Sequence, residues 1–240
     1  MPTVAEHYAH LLAPVYTWMA GGAEAAFAQG QSDLAPVLRP GSFAIDLGAG
    51  FGMHAIALAR AGWRVLAVDS SPLLLAQLSE FAGRLPVDAR CGDLLAFTDH
   101  LHAGETAELI LCMGDTLTHL EAPGSIAALS QSVAARLSPG GRFIATFRDY
   151  TRPPAGDARF IPVRADAQRI LTCFLETFDD HVRVHDLLHE RTGETWSTKV
   201  SSYRKLRVAP EAVREMFAAA GLRATLEPGP RGMARLVADA

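Results

Sequence analysis

Three glycines at alternate positions, Gly48, Gly50 and Gly52, follow an acid, Asp46, that stands two residues ahead of the first. The run Phe43-Ala44-Ile45-Asp46-Leu47 is apolar and strand-like, and beyond the glycines Ala55, Ile56, Leu58 and Ala59 recur at helical spacing. Strand, glycine turn and helix is the layout of a nucleotide-cofactor site, because glycine lets backbone come close to a ligand. The spacing narrows the choice. A dinucleotide fingerprint reads G-x-G-x-x-G; here Met53 stands where its third glycine would, and the last glycine falls one residue earlier. A second acid, Asp69, closes the strand-like run Arg64-Val65-Leu66-Ala67-Val68-Asp69, about 20 residues past the glycine turn. There it can accept hydrogen bonds from ribose hydroxyls, or else partner the start of a helix through Ser70 and Ser71 ahead of Pro72.

The elements that must position these residues alternate strand and helix. After Leu73 to Phe81 as helix, strands are expected at Val87 to Cys91, Ala107 to Met113 and Arg142 to Phe147, with a helix over Ser125 to Leu137. In an open α/β sheet the ligand lies beyond the carboxyl ends of the strands. The stretch Gly114-Asp115-Thr116-Leu117-Thr118-His119 should therefore face the reacting group. Ahead of this core, Tyr8, Leu11, Leu12, Val15, Tyr16 and Met19 form an apolar helical stripe, kinked or split at Pro14. Gly21-Gly22 ends it, and Phe27 to Leu38 forms a further helix. Past Pro153-Pro154 the period changes to two. Arg159 to Arg164, Arg169 to Phe178, His181 to Leu188 and Thr195 to Arg207 read as three or four antiparallel strands with turns at Asp179-Asp180 and Thr192-Gly193-Glu194. A helix from Pro210 to Ala220 and strands around Leu222 to Leu226 and Ala234 to Val237 complete the chain.

With 240 residues, 49% apolar and 20% charged, the chain suits one globular domain with an insertion. A formal charge of −4 gives no general attraction to nucleic acid or anionic membrane. Arg204-Lys205-Leu206-Arg207 is most simply a solvated strand end. No apolar run reaches the ~18 residues of a membrane span, and Met1 to His10 lacks a secretory leader's basic start and apolar middle. Cys91, Cys112 and Cys173 are scattered, as suits buried thiols in a reducing cytoplasm. His181, His185 and His189 have no cysteines or paired acids near them, so no metal site is expected. A small-molecule substrate is the expected partner; a homo-oligomer is left open.

The Asp-x-Gly-x-Gly-x-Gly form of Asp46 to Gly52 resembles motif I of the class I S-adenosylmethionine (SAM)-dependent methyltransferases. Within them, Gly114-Asp115-Thr116-Leu117-Thr118-His119-Leu120 is similar to the Gly-Asn-Ser-x-x-His-Leu segment of glycine and sarcosine N-methyltransferases, and Arg148-Asp149-Tyr150 to their Arg-Asn-Tyr segment. The resemblance covers roughly Asp46 to Tyr150. It implies a Rossmann-like doubly wound α/β sheet, mostly parallel with the last strand antiparallel, and an antiparallel β insertion after the fifth strand. The segments become an N-terminal helical cap (1–40), a SAM-binding core (41–150), a substrate lid (151–208) and a closing helix and strands (209–240).

It also implies roles. Asp46 would meet the ammonium of the SAM amino-acid tail, with Gly48, Ala49, Gly50 and Gly52 as the cradle, and Asp69 and Ser70 at the sugar. Gly92, Asp93 and Leu94 would sit at the adenine, where N-capping by Asp93 is the alternative. Met113 and Gly114 would flank the cofactor, and Tyr16 and Trp18 would cover it. Arg148 would clamp a substrate carboxylate, its alternative being a surface ion pair. Asp115 replaces the family's amide and would attract an ammonium, or a hydroxyl as proton donor. His119 or Asp115 could act as base and Tyr150 or Tyr203 could orient the acceptor's lone pair, with His119 otherwise a pocket wall. The product would be S-adenosylhomocysteine (SAH). A small-molecule O-methyltransferase, a nicotinamide-dependent oxidoreductase and a non-catalytic SAM-binding protein are the alternatives.

Overall fold

A computed structural model describes residues 2–240; of the expected cap, Met1 lies outside the described residues. The chain opens with α1 (Val4–His7), started by a capping box in which Thr3 and Glu6 satisfy each other's backbone N–H. A wide π turn (Tyr8–Leu12) and a 3-10 turn (Ala13–Val15) follow, then α2 (Tyr16–Met19). Pro14 has no N–H to give to the turn before it, so the expected single stripe is delivered by four short pieces. After Gly21 and Gly22, both at positive φ, α3 spans Ala23–Leu34. It starts and stops four residues earlier than Phe27 to Leu38, since Gly22 frees the chain to turn and Pro36 cannot continue the ladder.

The core then alternates: β1 (Phe43–Leu47), α4 (Met53–Arg60), β2 (Arg64–Asp69), α5 (Pro72–Ala82), β3 (Val87–Cys91), β4 (Ala107–Cys112), α6 (Pro123–Arg136) and β5 (Leu137–Phe147). Strand β5 begins earlier than expected because Ser138-Pro139-Gly140-Gly141 forms an irregularity inside it. The register against β4 jumps there, Ala107 pairing with Leu137 and Leu109 with Arg142. Four strands follow, β6 (Phe160–Ala165), β7 (Arg169–Thr177), β8 (His181–Thr192) and β9 (Thr195–Leu206), then α7 (Pro210–Ala219), β10 (Arg223–Pro228) and β11 (Ala234–Asp239).

The main sheet has the order β10-β11-β5-β4-β1-β2-β3. Strands β1 to β5 pair in parallel, and β11 runs antiparallel to both neighbours. The order reverses between β1 and β4, so a crevice opens beyond Leu47 and Cys112, where an α/β sheet takes its ligands. Strands β6 to β9 form a second, wholly antiparallel sheet. Its period-two pattern puts Leu171, Cys173 and Leu175, Val182 to Leu188 at alternate positions, and Ser201, Tyr203 and Lys205 on one face. Leu171 and Leu188 of that face pack on Leu11, Leu12 and Val15 of the N-terminal segment. Among the described residues no helix is long and apolar enough to cross a membrane.

Candidate active site

The crevice widens into a cavity of about 1270 Å³ bounded by the glycine loop, the ends of β2 to β5, the N-terminal segment and the second sheet. Single-ligand pockets run to roughly 300–1,000 Å³, so two molecules can lie side by side.

At one end the backbone does the work. Gly48, Gly50 and Gly52 all have positive φ, at 73°, 56° and 96°. A Cβ on Gly48 would stand 2.3 Å from Thr116 Cγ2, so this glycine allows the loops after β1 and β4 to touch. Gly50 donates its N–H to Asp69 Oδ2 at 2.8 Å, and Ser71 donates to Oδ1 at 2.8 Å. Burial raises the Asp69 pKa, opposed by the amides of Ser71, Gly50 and Ser70. With Gly50 and Ser71 each holding one oxygen, the carboxylate keeps acceptor capacity for a ribose hydroxyl. The cap of α5 is Ser71, which accepts from Leu74 N at 3.3 Å. Asp93 does cap, through Oδ1 and Leu95 N at 2.9 Å, and it also lines the cavity with Ser70, Gly92 and Leu94. Ala49, Met113, Gly114 and Tyr16 line it too. The glycine loop and the Asp69 carboxylate thus suit an adenosine-bearing cofactor.

Three expected cofactor residues lie elsewhere. Asp46 is 1% exposed, on the β1 face covered by α4, and does not line the cavity. Its Oδ2 has no partner among the described residues. Burial pushes its pKa up to about 6, with His54 lowering it and Asp69 raising it. Gly52 turns toward α5, where a Cβ would lie 2.9 Å from Leu78 Cγ; it serves packing. Trp18 points away because two helical residues are ~200° apart, which puts it opposite Tyr16. Its indole donates to Asp166, beyond the end of β6.

The other end is a cluster of side chains. Gly114 and Asp115 are both left-handed, at φ 72° and 73°, a conformation Asp tolerates better than most residues. Asp115 Oδ1 accepts from Arg148 N and Thr118 Oγ1, both at 2.9 Å. Its Oδ2 accepts from Tyr150 Oη at 2.8 Å and from the Lys205 ammonium. The carboxylate is saturated, so the ammonium expected to find it is the chain's own, and it is not a free base. Lys205, expected to be solvated, is 6% exposed. The two-residue period of β9 turns it inward with Tyr203, while Arg204 faces out and pairs with Asp180. Burial, then the Asp115 charge, raises the Tyr150 pKa, so it remains a phenol.

His119, on the turn Thr116–His119, lines the cavity with its Nε2 buried and without a partner among the described residues. Burial, then the charges of Lys205 and His7, holds its pKa well below the usual histidine range, so the ring is neutral at pH 7. The rings of Tyr8 and Tyr203 stand edge-on to it, centroids 5.7 and 5.5 Å away. Arg148 is exposed on the cavity wall.

Sequence reasoning missed a tie between the N-terminal segment and the second sheet. His7 is fully buried, its Nε2 3.0 Å from Asp186 Oδ2 and its Nδ1 2.8 Å from Ser201 Oγ. His181, His185 and His189 sit on the outer parity of β8, beside Asp180, Glu176 and Thr198 respectively.

Residues 44–141 match the family described as a methyltransferase domain. The cypemycin N-terminal methyltransferase of a Streptomyces species is 34% identical over 137 residues, covering 55% of this chain and 53% of the relative. The chain spans about half the length of the curated relatives it matches. Among solved structures, an S-adenosylmethionine-dependent methyltransferase from Clostridium acetobutylicum superposes with TM-score 0.74 at 15% identity, covering 95% of this chain and 96% of that one. SAM-bound CalS10, an amino pentose methyltransferase from Micromonospora echinaspora, gives TM-score 0.75 at 17% identity, covering 94% and 95%. At such identities the likeness shows the fold. Residues 44–141 thus match a methyltransferase domain, and the chain has the Rossmann-like fold seen in class I SAM-dependent methyltransferases.

Proposed function

We propose that this chain is an S-adenosylmethionine-dependent methyltransferase of the glycine and sarcosine N-methyltransferase-like group, acting on the amine nitrogen of a small, amino-acid-like acceptor. One observation carries the choice of nitrogen: a neutral His119 with an unpartnered Nε2, in the same cavity as the glycine loop and Asp69. SAM, when bound, supplies a methyl group on a good leaving group, so the protein's task is largely to hold the acceptor in line at about 3–3.5 Å. An amine must shed its proton to offer a lone pair. His119 Nε2 accepts that proton in a cavity end walled by Tyr8 and Tyr203. Arg148 offers the acceptor's carboxylate a planar fork. Asp115 acts as a positioning residue, holding Tyr150 and Lys205 in place. The second sheet is the lid, tied to the cap through His7 and Asp186. The relatives named for an N-terminus and for an amino pentose are in keeping with an amine target.

The test is calorimetric titration with SAH and with NAD, followed by mass spectrometry of SAM reactions with amino acids and amino sugars. His119→Ala should leave SAH affinity in place and lower kcat by about 10²–10⁴-fold. Saturable NAD binding without SAH binding, methyl groups found on oxygen, or full activity in His119→Ala would each sink this assignment.

A further inference from the structure

Among the described residues, only Asp115 and Arg231 hold a non-glycine backbone in the left-handed region, at φ 73° and 55°, and both line the cavity. Outside glycine and the short polar residues that conformation costs on the order of 1–3 kcal/mol and persists where surrounding structure imposes it. Asp115 is explained by its four donors; Arg231 is not used by anything above. It sits in the turn Pro230–Gly232 between β10 and β11. Because Ala234 pairs with Phe147, this turn is placed at the ligand edge of the sheet. From there Arg231 Nη2 reaches Asp33 Oδ2 at 3.2 Å, and the same oxygen lies 3.5 Å from His54 Nε2, in the first turn of α4. The Asp33 side chain is 2% exposed, whereas that of Arg231 is 46% exposed. One corner of the guanidinium is thus pinned, and the rest of its five-donor head stays on the cavity wall with Met53 and His54, directly after the glycine loop.

The other Lys and Arg residues bordering the cavity belong to its far end. Lys205 is committed to Asp115, Arg204 to Asp180, and Arg148 adjoins the Asp115 cluster. A SAM molecule with its sugar at Asp69 brings a carboxylate as well as an ammonium to the glycine-loop end. We propose that Arg231 holds the carboxylate of the SAM amino-acid tail, with Asp33 as its positioning residue. This rests on the SAM reading above.

The test compares SAH with 5′-deoxy-5′-methylthioadenosine, which has the same nucleoside and no tail carboxylate, by calorimetry on wild type and Arg231→Gly. Glycine adopts this φ without strain, so the turn is kept. The SAH Kd should rise about ten- to a hundredfold, the range for a charged hydrogen bond, while that of methylthioadenosine stays within about twofold. Arg231→Lys, which keeps charge without the fork, should fall between. An equal loss for both ligands, or an unchanged SAH Kd, would overturn the assignment and leave the SAM reading standing. So would a rise in acceptor KM with SAH affinity intact, since the carboxylate held would then be the acceptor's. Wild type binding neither nucleoside would bring down the proposal and the SAM reading together.

Discussion

The two ends of the cavity are built from different material. The glycine-loop end is local and largely backbone: Gly48 to Ser71 supply its turn, its amides and its carboxylate within one strand-helix-strand unit. The opposite end draws Asp115, His119, Tyr150, Tyr203 and Lys205 from a loop, a strand end and the second sheet, with Asp115 and Lys205 90 positions apart. A contiguous unit can be kept by three glycines and an acid. A dispersed cluster depends on each partner being satisfied, because an ion pair out of water tolerates no vacancy.

The strongest way to break this contrast is Asp115→Ala, which leaves the buried Lys205 cation without its counter-charge. Global stability should drop by about 3–5 kcal/mol in urea unfolding, and Lys205→Met in the same chain should restore most of it. If the double variant stays as unstable as the single one, the pair is not what holds that end together. Next comes Asp46→Asn, at the other end. The Asp46 pKa is raised in the fold to about 6 from 3.8, so its protonated form is the one the fold prefers. Its contribution is complete below the unfolded value and lost as pH rises through about 6. Asp46→Asn should therefore match wild type near pH 4 and exceed it by about 3 kcal/mol above pH 7. Urea midpoints across that range would show the gap; loss of SAH binding in this variant would instead make Asp46 a direct ligand. The smallest effect sharpens the division of labour. Arg148→Ala should raise acceptor KM about tenfold, the worth of one exposed charged contact, with SAH Kd unmoved. Equal changes in both would mean the two ends are not separable.

Much of the fold was legible from periodicity and punctuation. The switch from strand-helix alternation to period two past Pro153 and Pro154 foretold a second sheet, and four antiparallel strands stand there. Boundaries drifted where a proline or glycine acted through its neighbours, as at α3 and at the irregular start of β5. The pairing of Asp69 with the Gly50 amide was legible because both stand along one short segment. Tyr203 and Lys205 share a strand face, yet the charge of Lys205 argues for water unless an acid stands opposite, as Asp115 does. The motif positions of Asp46 and Gly52 point to ligand contacts, and only the packing of α4 and α5 shows both turned inward.

By itself the sequence determined the strand-glycine-helix cradle, the two-sheet architecture and the acid at the end of β2, because each follows from interactions between residues near one another along the chain. Tertiary structure alone decided which charges are spent and which are free. Asp115 is saturated by Lys205 and Tyr150, His119 is left neutral with an open nitrogen, and Arg231 is bent to a wall far from it in sequence. Burial and opposing charge set those states, and both are properties of what the fold brings face to face.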